Sequence, residues 1–445
     1  MAELAVWLDD TLVGRLSHAP ETNRFRFEYE PAWKQSTGAF AIGPRIPLVR
    51  DPSETEETHS AIVRQFFENL LPEGQALDDA AQSNGLSTSN VFGLIAALGK
   101  ETAGALRMAL SGANAPSAGP VVLREVTARE LSERIRNRRD VPFSVWDGRV
   151  RLSIAGFQDK IAVCEREGRW FLVDGPPLAS TFIVKPVPAR ESLASLPANE
   201  YFCMDLARRV GLVAAEVSLV EVPEPVLFVR RFDREETGAG VRRLHVVDAC
   251  QALGLGVSMK YEQQYGNGED VKHLRDGVSL PKLFGLLDLV ERPAVDRLRL
   301  LQWVVFQVLI GNTDAHGKNV SFHCGPGGLR LAPAYDIVCI PALGDRWVHD
   351  TLAMAVGDAF REAEITPYEW AHMAALCGLT FKLVSDTVAK MARAILDALP
   401  AACAAAERNG VGATVASAIA NHVAPVSERH LAMVPAIRRF KPGDF

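Results

Sequence analysis

The sequence predicts an α+β fold of two lobes, a mixed β/α half followed by a mostly helical half. Apolar residues alternate as in β-strands at Leu4–Leu8 and Phe25–Tyr29, and strand-like runs recur up to about residue 235. From about Asp248 onward, the apolar spacing becomes helical. A chain of 445 residues is long enough for two or three domains of ordinary size.

Composition excludes several classes of protein. Apolar residues make up 48% and charged residues 23%, as in ordinary globular proteins, and the net charge of −6 argues against a protein that coats nucleic acid by itself. The seven cysteines form no Cys-x-x-Cys pair, which indicates reduced thiols and no disulfide or zinc framework. The N-terminus lacks the basic region of a signal peptide, and no apolar run approaches the ~20 residues that span a bilayer. We therefore expect a cytoplasmic protein without membrane contacts.

Periodicity also places individual elements. Residues 111–120 are small and turn-rich, which predicts a linker after a β-rich N-terminal subdomain at 1–110. We interpret that subdomain as a packing or docking module. The main predicted helices are Val91–Leu98, Thr127–Arg138, Asn199–Val210, Ala294–Ile310, Thr366–Leu376, Phe381–Leu399 and Thr414–His422.

The most informative stretch runs from Leu300 to Ile337. An apolar helix is predicted to end at Ile310, and a polar loop and a β-hairpin come after it. Asp314 and Asn319 lie in the loop, and Asp336 comes just after the hairpin. Because one helix end and two strand ends meet here, we expect these three side chains to lie close together.

Those three side chains fit phosphoryl transfer. One carboxylate must orient the attacking hydroxyl or accept its proton, and a second carboxylate with an amide oxygen can hold magnesium. In protein kinases the catalytic Asp and the metal-binding Asn are five positions apart, and a later Asp holds metal. Asp314 and Asn319 have this spacing, and Asp336 is the later Asp. Turn capping by Asn and Asp is the alternative for this loop taken alone.

Two lysines are candidates for phosphate contacts. Lys160 ends a small-residue loop, 153–160, which can present backbone N–H groups to phosphate oxygens. Taken alone, this loop is equally an ordinary hairpin. Lys185 lies in an otherwise apolar strand, where it needs a phosphate or carboxylate partner. Glu200, predicted in the first turn of a helix capped by Asn199, either pairs with Lys185 as in kinases or only favours the helix dipole.

Four motifs together resemble the HipA family of bacterial toxin kinases. In chain order they are Ser153–Lys160 (SIAGFQDK), Arg231–Arg234 (RFDR), Asn312–Asn319 (NTDAHGKN) and Pro333–Asp336 (PAYD). The resemblance covers most of the chain, including the N-terminal subdomain. It implies a bilobal protein-kinase-like fold, with residues 121–235 as the N-lobe that carries the phosphate loop and the ATP lysine. Residues 236–445 would form the helical C-lobe with the catalytic loop and the metal site.

The resemblance also implies an ATP- and magnesium-dependent serine/threonine kinase. By position, Asp314 would be the catalytic base, Asn319 and Asp336 the magnesium ligands, and Ser153 an autophosphorylation site whose modification displaces the loop and silences the enzyme. The residues that would contact ATP are Ile154, Ala155, Gly156, Phe157, Gln158, Lys160, Lys185, Arg231, Phe232, Asp233, His316 and Lys318. Arg230 departs from the family, which often has Glu there, and Phe157 replaces a smaller residue.

The partners implied by the resemblance are a HipB-like helix-turn-helix antitoxin, operator DNA bound only through that antitoxin, and a protein substrate. In the best-known members of the family the substrate is an aminoacyl-tRNA synthetase, typically the glutamyl enzyme, and its phosphorylation stalls translation and leads to growth arrest or persistence. Two alternatives remain from the residues themselves. One is a kinase-fold phosphotransferase that acts on a small molecule, and the other is a catalytically idle co-repressor.

Overall fold

The computed structural model of the chain describes residues 2–115, 119–150, 158–344 and 350–445. Strands and helices are mixed through the first half of the chain, and helices predominate in the second half. The chain therefore has the predicted α+β organisation, with a separate sheet at its N-terminus. Among the described residues, no helix combines the length and the apolar character that crossing a membrane requires.

Residues 2–110, which we call the N-terminal body, pair an antiparallel sheet with helices. In Arg24–Tyr29 every second residue is buried, so its aromatic rings point to one face, where Phe27 contacts Phe67 of the helix Glu56–Glu68. The elements are β1 (Ala2–Leu8), β2 (Thr11–Ala19), β3 (Arg24–Tyr29), α1 (Pro31–Gln35), α2 (Glu56–Glu68), α3 (Gln75–Ser83), α4 (Val91–Leu98) and β4 (Leu106–Leu110). The sheet order is β3-β2-β1-β4.

A six-stranded antiparallel sheet comes next. Its elements and neighbours are β5 (Val122–Val126), α5 (Ala128–Arg136), β6 (Val145–Trp146), β7 (Arg149–Val150), β8 (Ile161–Arg166), β9 (Arg169–Asp174), β10 (Phe182–Pro186), α6 (Leu196–Arg209), β11 (Val217–Glu221) and β12 (Pro225–Arg230). The sheet order is β11-β12-β10-β8-β9-β5. Strand β10 carries Lys185 and pairs with β12 and β8, so this lysine lies in the middle of the sheet.

The second half contains a small sheet, β15-β16-β17, among packed helices. Its elements are β13 (Arg234–Thr237), β14 (Gly240–Arg243), β15 (Val246–Asp248), α7 (Ala249–Leu253), α8 (Leu280–Leu286), α9 (Pro293–Ile310), β16 (Ser321–Gly325), β17 (Gly328–Leu331), α10 (Pro367–Leu376), α11 (Phe381–Arg408) and α12 (Ala413–Ile437). Helix α9 packs against both α11 and α12, which explains the apolar run from Leu300 to Ile310.

Three of the predicted helix ends differ from the structure. Helix α6 begins at Leu196, so Asn199 lies inside the helix and does not cap it. Its side chain instead bonds the backbone of Cys339 in both directions, with N–O distances of 2.8 and 2.9 Å. Helices α11 and α12 continue past Pro400 and Pro425, although proline removes a helical hydrogen bond. Their mutual packing keeps both helices intact across the prolines.

A buried ionic network joins the N-terminal body to the rest of the chain. Glu101 of the body forms ion pairs with Arg231, Arg234 and Arg243, and the first two arginines also bind Asp233. Burial alone would raise the pKa of Glu101, but the three guanidinium groups lower it to about 2. Burial opposes ionisation of Asp233 as well, and Arg231 and Arg234 hold its pKa well below the usual range.

Backbone groups complete this joint. Arg231 Nη2 donates to the carbonyl of Thr102 at 3.0 Å, and the Gly104 N–H donates to Asp233 Oδ2 at 2.7 Å. Both backbone groups belong to the loop that leads into β4. Buried charges are tolerated only when they are paired and hydrogen-bonded. The network therefore sets the position of the N-terminal body against the strand end at Arg230.

Replacing Glu101 tests this joint. Glu101→Gln should lower the free energy of unfolding by about 3 kcal/mol near pH 7.5, because three buried guanidinium groups lose their shared carboxylate. The folded-state pKa of Glu101 lies below its unfolded value, so its contribution is present above about pH 4.5 and is lost as the pH falls toward 2. In urea denaturation, the gap between wild type and variant should therefore shrink from pH 5 to pH 3.

The matched control is Glu125→Gln, which removes an exposed pair with Arg169 and should change stability little at any pH. A gap between wild type and Glu101→Gln that does not depend on pH would contradict the assignment of Glu101 as an ionised member of the network.

Candidate active site

The end of helix α9 shapes the loop that carries Asp314. The chain leaves the helix at Gly311 with a left-handed φ of 75°, and a Cβ at this position would come within 2.4 Å of His422. Asn312 then accepts a hydrogen bond from the Asp314 N–H at 3.2 Å and donates to the carbonyl of Asp336 at 3.3 Å. These bonds leave the Asp314 side chain exposed while most of its neighbours in the loop are buried.

Asn319 is tied to the same loop. It lies in a short 3₁₀ turn, Gly317–Asn319, and its Nδ2 donates to the backbone carbonyl of Asp314 at 2.8 Å. Because this bond uses the amide N–H group, the amide oxygen is the atom that Asn319 can offer to a cation. The structure thus brings Asn319 and Asp314 together, as the spacing of five predicts.

Asp336 has an unusual backbone conformation. Its φ is 58°, a left-handed value that is uncommon for a non-glycine residue and clusters at functional sites. The preceding residue, Tyr335, donates its hydroxyl to the carbonyl of Lys318 at 2.5 Å and lies 2.7 Å from the hydroxyl of Ser321. These contacts hold the segment against the loop of Asp314 and Asn319, so the third predicted side chain joins the other two.

Lys185 stands between two carboxylates. Its Nζ lies 2.7 Å from Glu200 Oε1 on helix α6 and 2.5 Å from Asp336 Oδ1. The predicted pairing with Glu200 is therefore present, with Glu200 in the second helical turn and not the first. Lys185 and Glu200 are buried, whereas the Asp336 carboxylate remains 40% exposed. One carboxylate oxygen of Asp336 therefore binds the lysine, and part of the side chain remains accessible.

Burial and charge set the protonation states of Lys185, Glu200 and Asp336, the trio of the cleft. Burial alone would lower the pKa of Lys185, but Asp336 and Glu200 raise it well above its usual value. Burial raises the pKa of Glu200 to about 7, and Lys185 opposes this rise. Burial would also raise the pKa of Asp336, but Lys185 lowers it. At neutral pH the lysine is an ammonium and Asp336 a carboxylate.

Lys160 adds a second cation to the cleft. It is buried, and burial together with the nearby Lys185 ammonium lowers its pKa to about 8. Two lysine side chains in one buried site indicate a place for anions. The Nε2 atom of Gln158 and the Nδ1 atom of His316 are buried without a hydrogen-bond partner among the described residues. Unpartnered buried polar atoms of this kind fit a site that binds a polar ligand.

The other residues of the predicted phosphate loop lie outside the described part of the chain. They are Ser153, Ile154, Ala155, Gly156 and Phe157. Within the described ranges, no group of three or more His, Cys, Asp or Glu side chains is placed to hold a metal ion. Magnesium bound together with a nucleotide needs few protein ligands, because phosphate oxygens and water complete its shell. Asp336 and Asn319 fit that requirement.

Lys318, which the sequence assigns to ATP, is placed elsewhere. Its side chain is only 3% exposed, and its Nζ donates to the carbonyl and Oδ1 of Asn69 at 2.9 Å each and to Asp248 Oδ2 at 2.7 Å. An ammonium has three N–H donors, and these contacts use all of them. The assignment of Lys318 to nucleotide contacts is therefore corrected, because the lysine joins the loop of Asp314 and Asn319 to the N-terminal body.

The side chains of the Arg231–Asp233 motif also lie in two different places. Arg231 and Asp233 direct their charged groups into the buried network with Glu101, so the structure does not bring these side chains to the cleft. Phe232 between them is half-buried and contacts Tyr335, with ring centroids 5.4 Å apart. Only Phe232 of this motif therefore lies beside the segment that carries Asp336.

Sequence reasoning missed Tyr261. Its hydroxyl donates to Asp314 Oδ1 at 2.6 Å, and its ring meets His316 edge-on at 5.1 Å. Burial and the Asp314 carboxylate raise the pKa of Tyr261, so it remains a neutral donor. Glu73 and Lys260, which pair at 2.6 Å, were also missed. No motif spacing signals contacts between residues so far apart in the chain.

Comparisons with known proteins match most of the chain. Family models for the HipA N-terminal domain and the HipA-like C-terminal domain match residues 4–109 and 152–402. A serine/threonine-protein kinase toxin HipA from Shewanella oneidensis is 37% identical over 399 residues, which cover 89% of this chain and 88% of that protein. A solved complex of Shewanella oneidensis HipA, HipB and operator DNA includes a chain that matches with a TM-score of 0.84 and 34% identity, covering 98% of this chain and 100% of that one.

Lys185→Met tests the electrostatics of the trio. At pH 8 it should lower the free energy of unfolding by about 3 kcal/mol, because Glu200 loses its buried partner. The pKa of Glu200 is about 7 with the lysine present and rises further without it. Below about pH 5, Glu200 is neutral in both folded proteins, so in urea denaturation the gap to wild type should be larger at pH 8 than at pH 5.

The double variant Lys185→Met/Glu200→Gln is the control, since it leaves no charged carboxylate on helix α6 at this site. It should be more stable than Lys185→Met at pH 8. An equal gap between wild type and Lys185→Met at both pH values would show that Glu200 does not titrate as described.

Proposed function

This chain belongs to the HipA family of serine/threonine-protein kinase toxins, and on that premise we propose that Asp314, Asn319, Asp336 and Lys185 form its active site. The proposal includes ATP as phosphoryl donor and a serine of a protein as acceptor. The observation that carries it is the contact of Lys185 with both Glu200 and Asp336 beside the loop of Asp314. Kinases require the strand lysine to pair with a helix glutamate and the metal-binding aspartate to be in place.

In the proposed mechanism, Asp314 is the base. Tyr261 occupies Oδ1 of its carboxylate at 2.6 Å, which leaves Oδ2 to orient the substrate hydroxyl and to accept its proton. Asn319 and Asp336 would hold magnesium, which would supply positive charge to offset that of the ATP phosphates. Lys185 and Lys160 place positive charge in the same cleft, so they balance phosphate charge that develops on the leaving group.

The nucleotide base has a proposed place as well. Phe232 and Tyr335 form an aromatic pair next to Asp336, and such a surface suits a planar base. The side chain of Arg230, where the family often has Glu, is exposed and bonds Glu236 at 2.6 Å. We propose that adenine binds beside Phe232, with residues 154–158 and Lys160 over the phosphates and His316 at the edge of the site.

Domain roles, partners and target are part of the proposal. Residues 121–235 would serve as the N-lobe, 236–445 as the C-lobe and 1–110 as an additional subdomain. A HipB-like antitoxin would restrain the kinase and provide its only contact with operator DNA, as suggested by similarity to the chain in the HipA–HipB–DNA complex over 98% of this chain. The target would be an aminoacyl-tRNA synthetase, such as the glutamyl enzyme, in the bacterial cytoplasm, with growth arrest or persistence as the result.

The two alternative functions are less well supported. An idle co-repressor has no need for an ammonium paired with Glu200 and Asp336, or for an exposed Asp314 held by a tyrosine. A small-molecule phosphotransferase would use the same catalytic groups. The protein kinase named among the relatives of this chain favours a protein acceptor.

Asp314→Asn tests the proposed function. The change is nearly isosteric, so the fold should be kept, and phosphoryl transfer should fall by about 10²-fold or more because the base is lost. The assay is incorporation of label from ATP with magnesium, using the purified chain alone, with a bacterial lysate and with purified glutamyl-tRNA synthetase. Asp288→Asn, an exposed aspartate remote in sequence from the loop, is the control. Transfer at the wild-type rate in Asp314→Asn would refute the assignment of the base.

A second prediction concerns Ser153, which lies outside the described residues. A phosphate on Ser153 adds about −1.5 to −2 charges and would compete with ATP phosphates for the loop N–H groups and for Lys160. Mass spectrometry after incubation with ATP and magnesium should find phosphate on Ser153 in wild type but not in Asp314→Asn. Ser153→Ala should stay active for longer. An unmodified Ser153 in a chain that phosphorylates other proteins would rule out this form of self-regulation.

A further inference from the structure

We propose that the N-terminal body positions the loop of Asp314 and Asn319 through two lysine contacts, one buried and one partly buried, and so acts in catalysis through other residues. The contacts are Lys318 with Asn69 and Lys260 with Glu73. Asn69 and Glu73 both belong to the segment that comes after helix α2 of the body. The inference rests on the proposed function only in taking Asp314 as the base and Asn319 as a metal ligand. It makes Asn69 and Glu73 positioning residues.

The first contact holds the loop at Lys318, next to Asn319. Lys318, the residue directly before Asn319, directs two of its three N–H donors to Asn69. Asn69 is itself held, because its Nδ2 donates to the carbonyls of Gln65 and Leu255 at 2.8 and 2.9 Å. The third donor of Lys318 goes to Asp248, the N-cap of α7. A buried ammonium with all donors satisfied has one favourable position. Because Lys318 directly precedes Asn319, its contact with Asn69 of the N-terminal body also fixes the position of Asn319.

The second contact reaches Asp314 through Tyr261. Lys260 bonds Glu73 at 2.6 Å, its carbonyl accepts the Gly317 N–H at 2.9 Å, and the next residue, Tyr261, donates to Asp314 Oδ1. Burial alone would raise the pKa of Glu73, but Lys318 and Lys260 lower it. Glu73 therefore stays charged, and the charges of both lysines favour its ionised form.

The partners of these two contacts differ from the partners of Lys185. In the described part of the chain, the side-chain hydrogen bonds of Asn69 and Glu73 run to backbone carbonyls and to the two lysines, whereas Lys185 bonds Glu200 and Asp336. A shift of about 1 Å in a catalytic group can lower a rate by about 10²-fold even when binding is unchanged. Loss of the Glu73 contact should therefore lower the rate of phosphoryl transfer more than it changes ATP binding.

The experiment compares Glu73→Gln, Lys260→Met and the double variant in the full chain. Single-turnover consumption of labelled ATP with magnesium is measured over a range of ATP concentrations, counting protein-bound and free phosphate together. Each single variant should reduce the rate at saturating ATP by about tenfold, with half-saturation within about twofold of wild type. The double variant should be no slower than the slower single variant, because both remove one contact.

The matched control is Glu54→Gln at the other end of α2. Glu54 is 16% exposed and pairs with Arg50 at 2.9 Å, while Glu73 is 12% exposed. Glu54→Gln should lose a similar amount of stability but keep the wild-type rate. The inference is overturned if Glu73→Gln keeps the wild-type rate, if Glu54→Gln is equally slow, or if the rate and half-saturation change in parallel. Asp314→Asn, measured alongside, distinguishes this failure from failure of the proposed base.

Discussion

The structure depends most on one ammonium group, that of Lys185. It connects the middle of the six-stranded sheet, helix α6 and the segment after β17, because Glu200 and Asp336 both bind it. Burial raises the pKa of Glu200 and the Lys185 ammonium opposes that rise, while the same ammonium lowers the pKa of Asp336. The contact therefore holds two halves of the chain at one distance, and it leaves Asp336 with a free oxygen facing the cleft.

The rest of the site is built from backbone contacts, which tolerate little displacement. Asn312 bonds the carbonyl of Asp336 and Tyr335 bonds that of Lys318, so the loop of Asp314 and the segment of Asp336 are fixed to each other. Asn319 bonds the carbonyl of Asp314 within the loop. The left-handed backbone of Asp336 persists because these contacts determine it on both sides. Preorganisation of this kind is what phosphoryl transfer demands, since most of its catalysis comes from position and charge.

Two charged joints are among the contacts that attach the N-terminal body to the rest of the chain. The ionic network around Glu101 joins it to the end of β12, and the lysine contacts of Asn69 and Glu73 join it to the catalytic loop. Both joints are charged, and removal of one partner from the buried network of Glu101 leaves a buried charge unpaired. The N-terminal body therefore contacts both the strand β12 and the loop that contains Asp314 and Asn319.

The sequence alone determined the fold class, the family and the proximity of Asp314, Asn319 and Asp336, because apolar periodicity and motif spacing are local properties. It also predicted the Lys185–Glu200 pair, since a lysine in a buried strand needs a partner. Only the tertiary structure showed that Lys318, Arg231 and Asp233 direct their charged groups into buried contacts with the N-terminal body, and that Tyr261 bonds Asp314. It likewise decided that α11 and α12 continue past their prolines. These outcomes depend on which distant groups compete for a charge, a donor or a packing surface, and no local pattern encodes that competition.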